Sequence, residues 1–283
     1  MIAFFGMGLL GSNFVRALRK RGEDVHVWNR SPDKARALAD VGAKAFEDPA
    51  SAAKGATRVH LTLSDDAAVD DVLEKARAGF ADATIIVDHT TTAPTGTAAR
   101  AKKWKNFQHA PVFMGPGNAL DSSGIMLASG PRDRYDALEP FLSKMTGKLV
   151  YLGEAPERAA AFKLMGNAFL MAMTAGIADV LAIAKATHVS PSDAVALFEH
   201  FNPGAFLPVR AKRMTTGKFS EASWELSMAR KDARLMIEET QKNNVTLDVI
   251  PAIAKQMDRF IERGHGKDDW TVIAKDALES SGE

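Results

Sequence analysis

Six residues near the N-terminus constrain this chain more than any other stretch. Gly6-Met7-Gly8-Leu9-Leu10-Gly11 follows the apolar run Ile2–Phe5 and opens an amphipathic segment over residues 9–21. Each glycine has a geometric purpose in such a place. Gly6 permits a tight turn out of a strand, Gly8 lets the backbone approach a pyrophosphate, and Gly11 lets helix and strand pack closely. The helix N-terminus adds free N–H donors and a favourable dipole. The spacing alone is weak evidence, because a purely structural glycine turn reads the same. Its position at the first strand-to-helix junction points to dinucleotide binding, with Met7 and Leu9 lying between the glycines.

The following 150 residues keep that alternation. Val25–Trp28, 59–63, 84–87 and Ile125–Ala128 have strand length and β-branched or aromatic content, and 32–41, 65–79 and 132–144 have helix length. This pattern predicts an α/β doubly wound unit, a mostly parallel sheet with helices on both faces. From about Glu157 the texture changes to Ala, Leu, Met and charged residues, which predicts an all-helical second half. Residues 157–187 contain Gly166 and Gly176 but no proline, so one helix of about 30 residues, roughly 45 Å long, is expected. Ser190-Pro191 reads as the start of another helix and Asn202-Pro203-Gly204 as its terminating turn. Further helices are expected over 224–242, 249–263 and 269–278.

Composition excludes several functions. Lys+Arg number 36 and Asp+Glu 35, a formal net charge of +1 with no basic stripe, so no nucleic-acid partner is expected. The chain has no cysteine, which removes disulfides, thiolate metal sites and cysteine nucleophiles, so any redox chemistry must come from a cofactor. The seven histidines show no ligand spacing, so no metal site is expected. Uninterrupted apolar runs fall short of a membrane span and the N-terminus lacks an export pattern. A soluble cytoplasmic protein without a membrane partner is expected.

Three further clusters bear on chemistry. The second strand ends Val27-Trp28-Asn29-Arg30-Ser31, without the carboxylate that would hold ribose hydroxyls. A guanidinium there suits a 2′-phosphate, which favours NADP(H) over NAD(H), although Arg30 could equally be a solvated loop residue. Leu63-Ser64-Asp65 and Asp88-His89-Thr90-Thr91-Thr92-Ala93-Pro94 end later strands, where they either touch the cofactor or simply start helices. Lys163 and Asn167, four apart on the long helix, share one face. Flanked by Phe162, Leu164 and Met165, Lys163 is either a desolvated proton-transfer group or an ordinary solvated lysine.

Taken together in order, these motifs resemble the β-hydroxyacid dehydrogenase family, which includes 3-hydroxyisobutyrate dehydrogenases and glyoxylate/succinic semialdehyde reductases. The resemblance spans essentially the whole chain. It rests on Gly6 to Gly11, on Asp88 to Pro94 with Thr90 in place of serine, on Ala110-Pro111-Val112, on Lys163 to Asn167, and on Lys231-Asp232. It implies a Rossmann domain over residues 1–154 and, joined by the long helix, a helical substrate and oligomerisation domain over 155–283. It further implies Lys163 as proton donor or acceptor, Asn167 as its orienting partner, and Thr91 and Lys231 on the cofactor side. A homodimer or homotetramer is expected.

The sequence departs from the family in two places. The usual Ser-Gly-Gly, which holds a substrate carboxylate, is replaced by Phe113-Met114-Gly115, and two glycines of the lead-in to the lysine become Pro156 and Arg158. Phe113, Met114 and Gly115, with Thr90, are the expected substrate contacts. The expected activity is NADP(H)-dependent interconversion of a small β-hydroxy acid and its semialdehyde, or of a related carbonyl. Two alternatives stand beside it. Imine reductases share the architecture but usually replace the lysine, and a weakly catalytic NADP(H)-binding protein would need no substrate grip. The decarboxylating 6-phosphogluconate enzymes share only the N-terminal fold and are much longer.

Overall fold

The structure, a computed structural model, describes residues 1–279. The chain divides into two compact units, Met1–Ala168 and the residues from Phe169 onward. In the first unit the strands are β1 (Ile2–Phe5), β2 (Val25–Trp28), β3 (Lys44–Ala45), β4 (Arg58–Leu61), β5 (Ile85–Asp88), β6 (Phe107–His109), β7 (Val112–Phe113), β8 (Ile125–Ala128) and β9 (Lys148–Tyr151). Its helices are α1 (Leu9–Lys20), α2 (Pro32–Arg36), α3 (Pro49–Ala53), α4 (Asp66–Ala76), α5 (Pro94–Lys103), α6 (Pro116–Asp121) and α7 (Arg132–Leu142), followed by the start of α8 (Arg158–Ala186).

Six parallel strands form one sheet in the order β3-β2-β1-β4-β5-β6. β1 and β4 are buried along their whole length, as strands covered on both faces must be. Alternate residues feed opposite layers. Ile2 and Phe4 join a core with Phe14, Val15 and Leu18 of α1, while Ala3 and Phe5 join another with Val69, Val72 and Leu73 of α4. Because β1 pairs with β2 on one side and β4 on the other, the strand order reverses there and a crevice opens beyond Phe5 and Leu61.

The strand at Ile125–Ala128 lies outside this sheet. It forms β8 of a second, three-stranded sheet, antiparallel to β7 and parallel to β9. β3, β6, β7 and β9 were not expected, and three of them have only two or three residues, too few to show a hydrophobic period.

The second unit continues α8 and adds α9 (Pro191–His200), α10 (Leu207–Thr216), α11 (Leu226–Lys242), α12 (Ile250–Phe260) and α13 (Lys275–Glu279). Asn202-Pro203-Gly204 does end α9, but a short 3₁₀ turn at Pro203–Phe206 leads straight into the unexpected α10. Proline in a first turn starts helices as readily as it stops them. The helix expected over 269–278 is a 3₁₀ turn, Trp270–Ala274, followed by α13.

Two buried carboxylates organise this unit. Asp179 of α8 accepts the N–H groups of Asp248, Val249 and Ile250 at 2.8–3.0 Å and so caps α12. Asp269 accepts from Ser223, Thr271 and Arg213. Burial alone would raise its pKa, but the hydrogen bonds from Thr271 and Ser223 outweigh it and hold the carboxyl well below the usual range.

α8 bears on the expectation about membranes. Polar residues such as Asn167, Thr174 and Asp179 interrupt its apolar runs, yet the helix is long and apolar enough to cross a membrane by length and composition.

Candidate active site

The crevice at the strand reversal is built from glycine outward. Gly6 turns the chain with φ +95°, and a Cβ there would lie 2.1 Å from the Thr62 carbonyl oxygen. A Cβ on Gly11 would lie 2.0 Å from the Gly6 carbonyl oxygen and 2.3 Å from the Thr62 hydroxyl, which itself donates to that carbonyl. Both positions therefore demand glycine on steric grounds. Gly8 differs, because a Cβ there would meet nothing within 4 Å. Its side-chain position opens onto free space at the turn. Gly8 is also the N-cap of α1, no side chain caps that helix and its first turn holds no acid, so its N–H donors and dipole are left for an anion. A pyrophosphate fits this cradle.

The cleft beside it has a volume of about 450 Å³ and is lined by Gly6, Gly8, Asn29, Arg30, Ser31, Leu63 and Ser64 among others. Asn29 holds the turn, its Oδ1 accepting the Met7 N–H at 2.8 Å. The Met7 side chain is buried in the core, whereas Leu9 is exposed on the first turn of α1. The same cleft receives Lys34 and Lys75, two cations that the sequence reading missed, together with Glu47 and Asp71. Lys34, four residues after Arg30, could have been found by extending the search for cations past the strand tip into α2.

Thr90 and Thr91 separate sharply. Thr90 is buried, its hydroxyl accepting the Leu63 N–H at 3.0 Å, which ties the loop after β4 to the loop after β5. Thr91 is exposed. Beneath them lies a buried polar layer with no counterpart in the sequence reading. His60 Nδ1 is 3.0 Å from His89 Nε2, His89 Nδ1 is 2.7 Å from the Ala110 carbonyl oxygen, and His109 Nε2 is 3.0 Å from the Thr90 carbonyl oxygen. Burial lowers the pKa of His89 and His109 to about 4, pushes His60 well below its ordinary value, and raises Asp88 to about 6. These histidines are neutral at pH 7.

At the start of α8, Lys163 donates to Asn167 Oδ1 at 2.9 Å. Lys163 is only 9% exposed, and that burial lowers its ammonium pKa. The Phe113 ring of β7 lies beneath the ammonium, with its centroid 4.2 Å from Nζ. Lys163, Asn167 and Phe113 are thus assembled within the first unit. Met114 packs partly buried against the core, and Gly115 caps α6, its N–H donating to Asn118 Oδ1. Lys231 lies on α11 in the second unit, paired with Asp232 at 2.8 Å. No cluster of three metal-ligating side chains occurs among the described residues.

A parallel sheet with a glycine cradle at its reversal point and a buried lysine hydrogen-bonded to an asparagine defines a dinucleotide-dependent oxidoreductase class. Residues 1–153 match the family described as the NAD binding domain of 6-phosphogluconate dehydrogenase, and residues 155–278 match the NADPH-dependent reductive aminase-like C-terminal domain. The chain belongs to the β-hydroxyacid dehydrogenase family of NAD(P)-dependent oxidoreductases.

It is 24% identical to the 3-sulfolactaldehyde reductase of Escherichia coli, over 99% of this chain and 97% of that one. It is 31% identical to the chloroplastic glyoxylate/succinic semialdehyde reductase 2 of Arabidopsis thaliana, over 68% of this chain and 55% of that protein. Among solved structures, a reductive aminase from Aspergillus terreus in complex with NADPH and ethyl levulinate superposes with a TM-score of 0.89 at 20% identity, over 98% of both chains, which is a likeness of fold.

Proposed function

We propose that this oxidoreductase uses NADP(H) to interconvert a small β-hydroxy acid and its semialdehyde, or a closely related carbonyl pair. Lys163 is the group that gives and takes the proton. The observation that carries the reading is the buried Lys163 held by Asn167. When bound, the nicotinamide supplies or accepts the hydride. The chain's own residues do the rest. Asn167 fixes one N–H of the ammonium and leaves its other donors for a substrate oxygen, and burial lowers its pKa toward the range where it can release a proton. Arg30 and Lys34 in the cleft support a 2′-phosphate.

Imine reduction is a second reading, favoured by the match of residues 155–278 and by Phe113 standing where the family usually has a hydroxyl. We also propose self-association through the second unit, as a homodimer or homotetramer. Supporting it are the exposed Phe169, Met171, Phe206 and Val209. Asp179, buried within α8 as the cap of α12, favours a soluble partner over lipid around this helix.

Two variants test the enzymatic reading. Lys163→Ala should lower turnover at least about 100-fold, the effect of a lost general acid, while NADPH affinity is kept. The assay is NADPH oxidation with semialdehyde acids, uncharged aldehydes and cyclic imines, and unchanged turnover with every active substrate would remove Lys163 from the reaction. Arg30→Ala should weaken NADPH roughly tenfold more than NADH, the scale of one charge-assisted contact, and equal losses would overturn the cofactor assignment.

A further inference from the structure

Phe113 and Gly166 form a matched pair beneath the proposed proton donor. Gly166 and Asn167 lie three and four residues after Lys163 on α8, so each neighbours the lysine on the helix surface. A Cβ on Gly166 would lie 2.3 Å from Phe113 Cζ and 2.6 Å from Cε1, so the ring occupies the space that any other residue's side chain would need. Glycine inside a helix costs about 1 kcal/mol relative to alanine, and an isolated one there calls for a packing or functional reason. The ring supplies that reason.

With its centroid 4.2 Å from Lys163 Nζ, the ring is well inside the roughly 6 Å reach of cation–π attraction. Burial is the cause that acts on Lys163, with no charged side chain perturbing it among the described residues of the first unit. A carboxylate or hydroxyl under the ammonium would consume one of its N–H donors. An aromatic face attracts the charge and leaves those donors free.

We propose that Phe113 is a positioning residue for Lys163: its ring, admitted by the bare Gly166, holds the ammonium by cation–π attraction beside Asn167 without taking a hydrogen bond from it. The contact biases Lys163 toward its charged form against the pull of burial. The proposal rests on the reading of Lys163 as proton donor only for its effect on turnover, because the contact can be measured without catalysis.

The test replaces Phe113 in the full chain with 2-fluoro- and 2,6-difluorophenylalanine, which drain the π face without enlarging the ring edge that meets Gly166. Lysine side chains are labelled with ¹³C, and the Lys163 signal is assigned by its loss in Lys163→Arg. Proton affinity at Lys163 should fall stepwise with fluorine number, by about threefold to tenfold in all, the scale of a partly desolvated cation–π contact. The basic limb of the kcat/KM pH profile should move by the same factor. A Lys163 titration indifferent to fluorination would overturn the proposal. If Lys163→Ala leaves turnover intact while the titration still tracks fluorine, the catalytic reading fails and the contact stands. Gly166→Ala, which must displace the ring, should reproduce the difluoro result, and a wild-type titration in that variant would also overturn the proposal.

Discussion

The two compact units handle apolar residues in opposite ways. The first buries them on both faces of a parallel sheet, in two cores that share strands residue by residue. The second encloses a small core around Phe219, Leu226, Met257 and Phe260, and leaves Phe169, Met171, Leu197 and Val209 exposed. Its order depends on carboxylates instead, with Asp179 capping one helix and Asp269 gathering three segments. A hydrophobic composition therefore does not by itself say how a region is held together. In the first unit apolar burial centres on the sheet, with Leu9 and Met165 left exposed, and in the second it centres on a smaller helical core.

Acidification should expose the contrast most strongly. Unfolded histidine titrates near 6.5, while His89 and His109 are held at about 4 by burial. Between those values the unfolded chain takes up protons that the folded chain refuses, so stability present at neutral pH is lost as pH falls. Asp88 acts in the opposite sense. Raised to about 6, it keeps a proton in the folded state, and the stability it adds in acid is lost as pH rises through 6. The histidines outnumber it, so the first unit should lose on the order of 4 kcal/mol between pH 6.5 and 4. Urea melts followed by Trp28 and Trp104 fluorescence, with Trp224 and Trp270 replaced by phenylalanine, would read this unit alone. A flat profile would mean that the buried histidine layer is not held neutral.

Asp269→Ala should be the next largest effect, about 3 kcal/mol, because it strands Arg213 and unties Ser223 and Thr271 at a fully buried position. The loss should appear in the Trp224 and Trp270 signal. An effect below about 1 kcal/mol would deny carboxylates their place as the organisers of the second unit. Gly11→Ala should cost about 2 kcal/mol, typical of overpacking, since its methyl would press on the Gly6 carbonyl and the Thr62 hydroxyl. It should also weaken NADPH by distorting the cradle, which isothermal titration would show. Intact affinity would mean that the cradle tolerates a wider turn than its geometry implies.

What could be read from the sequence divides along similar lines. Backbone requirements were legible: Gly6 and Gly11 are demanded by positive φ or close approach, and the spacing of the glycines is enough to announce the turn. The amphipathic α1 and α11 were legible from their period, and α8 from its long proline-free run of helix-forming residues. β3 and β7, two residues each, exist only because neighbouring strands supply their partners. The His60–His89 contact joins residues 29 apart whose strands happen to be adjacent, and Phe113 meets Gly166 across 53 positions of chain. Such pairings are products of topology, and no local pattern encodes them. Phe113 stood out in the sequence as a departure from the family, but its partner could not be inferred without the fold.

The place where α8 is divided has a consequence for exchanging halves between homologues. The family matches part at residues 153 and 155, yet the compact unit runs on to Ala168 and carries Lys163, Gly166 and Asn167 with it. A chimera joined at 154 would give Phe113 a foreign α8, and any incoming residue larger than glycine at position 166 would collide with its ring. Joined after Ala168, the graft would bring a new helical half while the ammonium, its asparagine and its aromatic floor travel together.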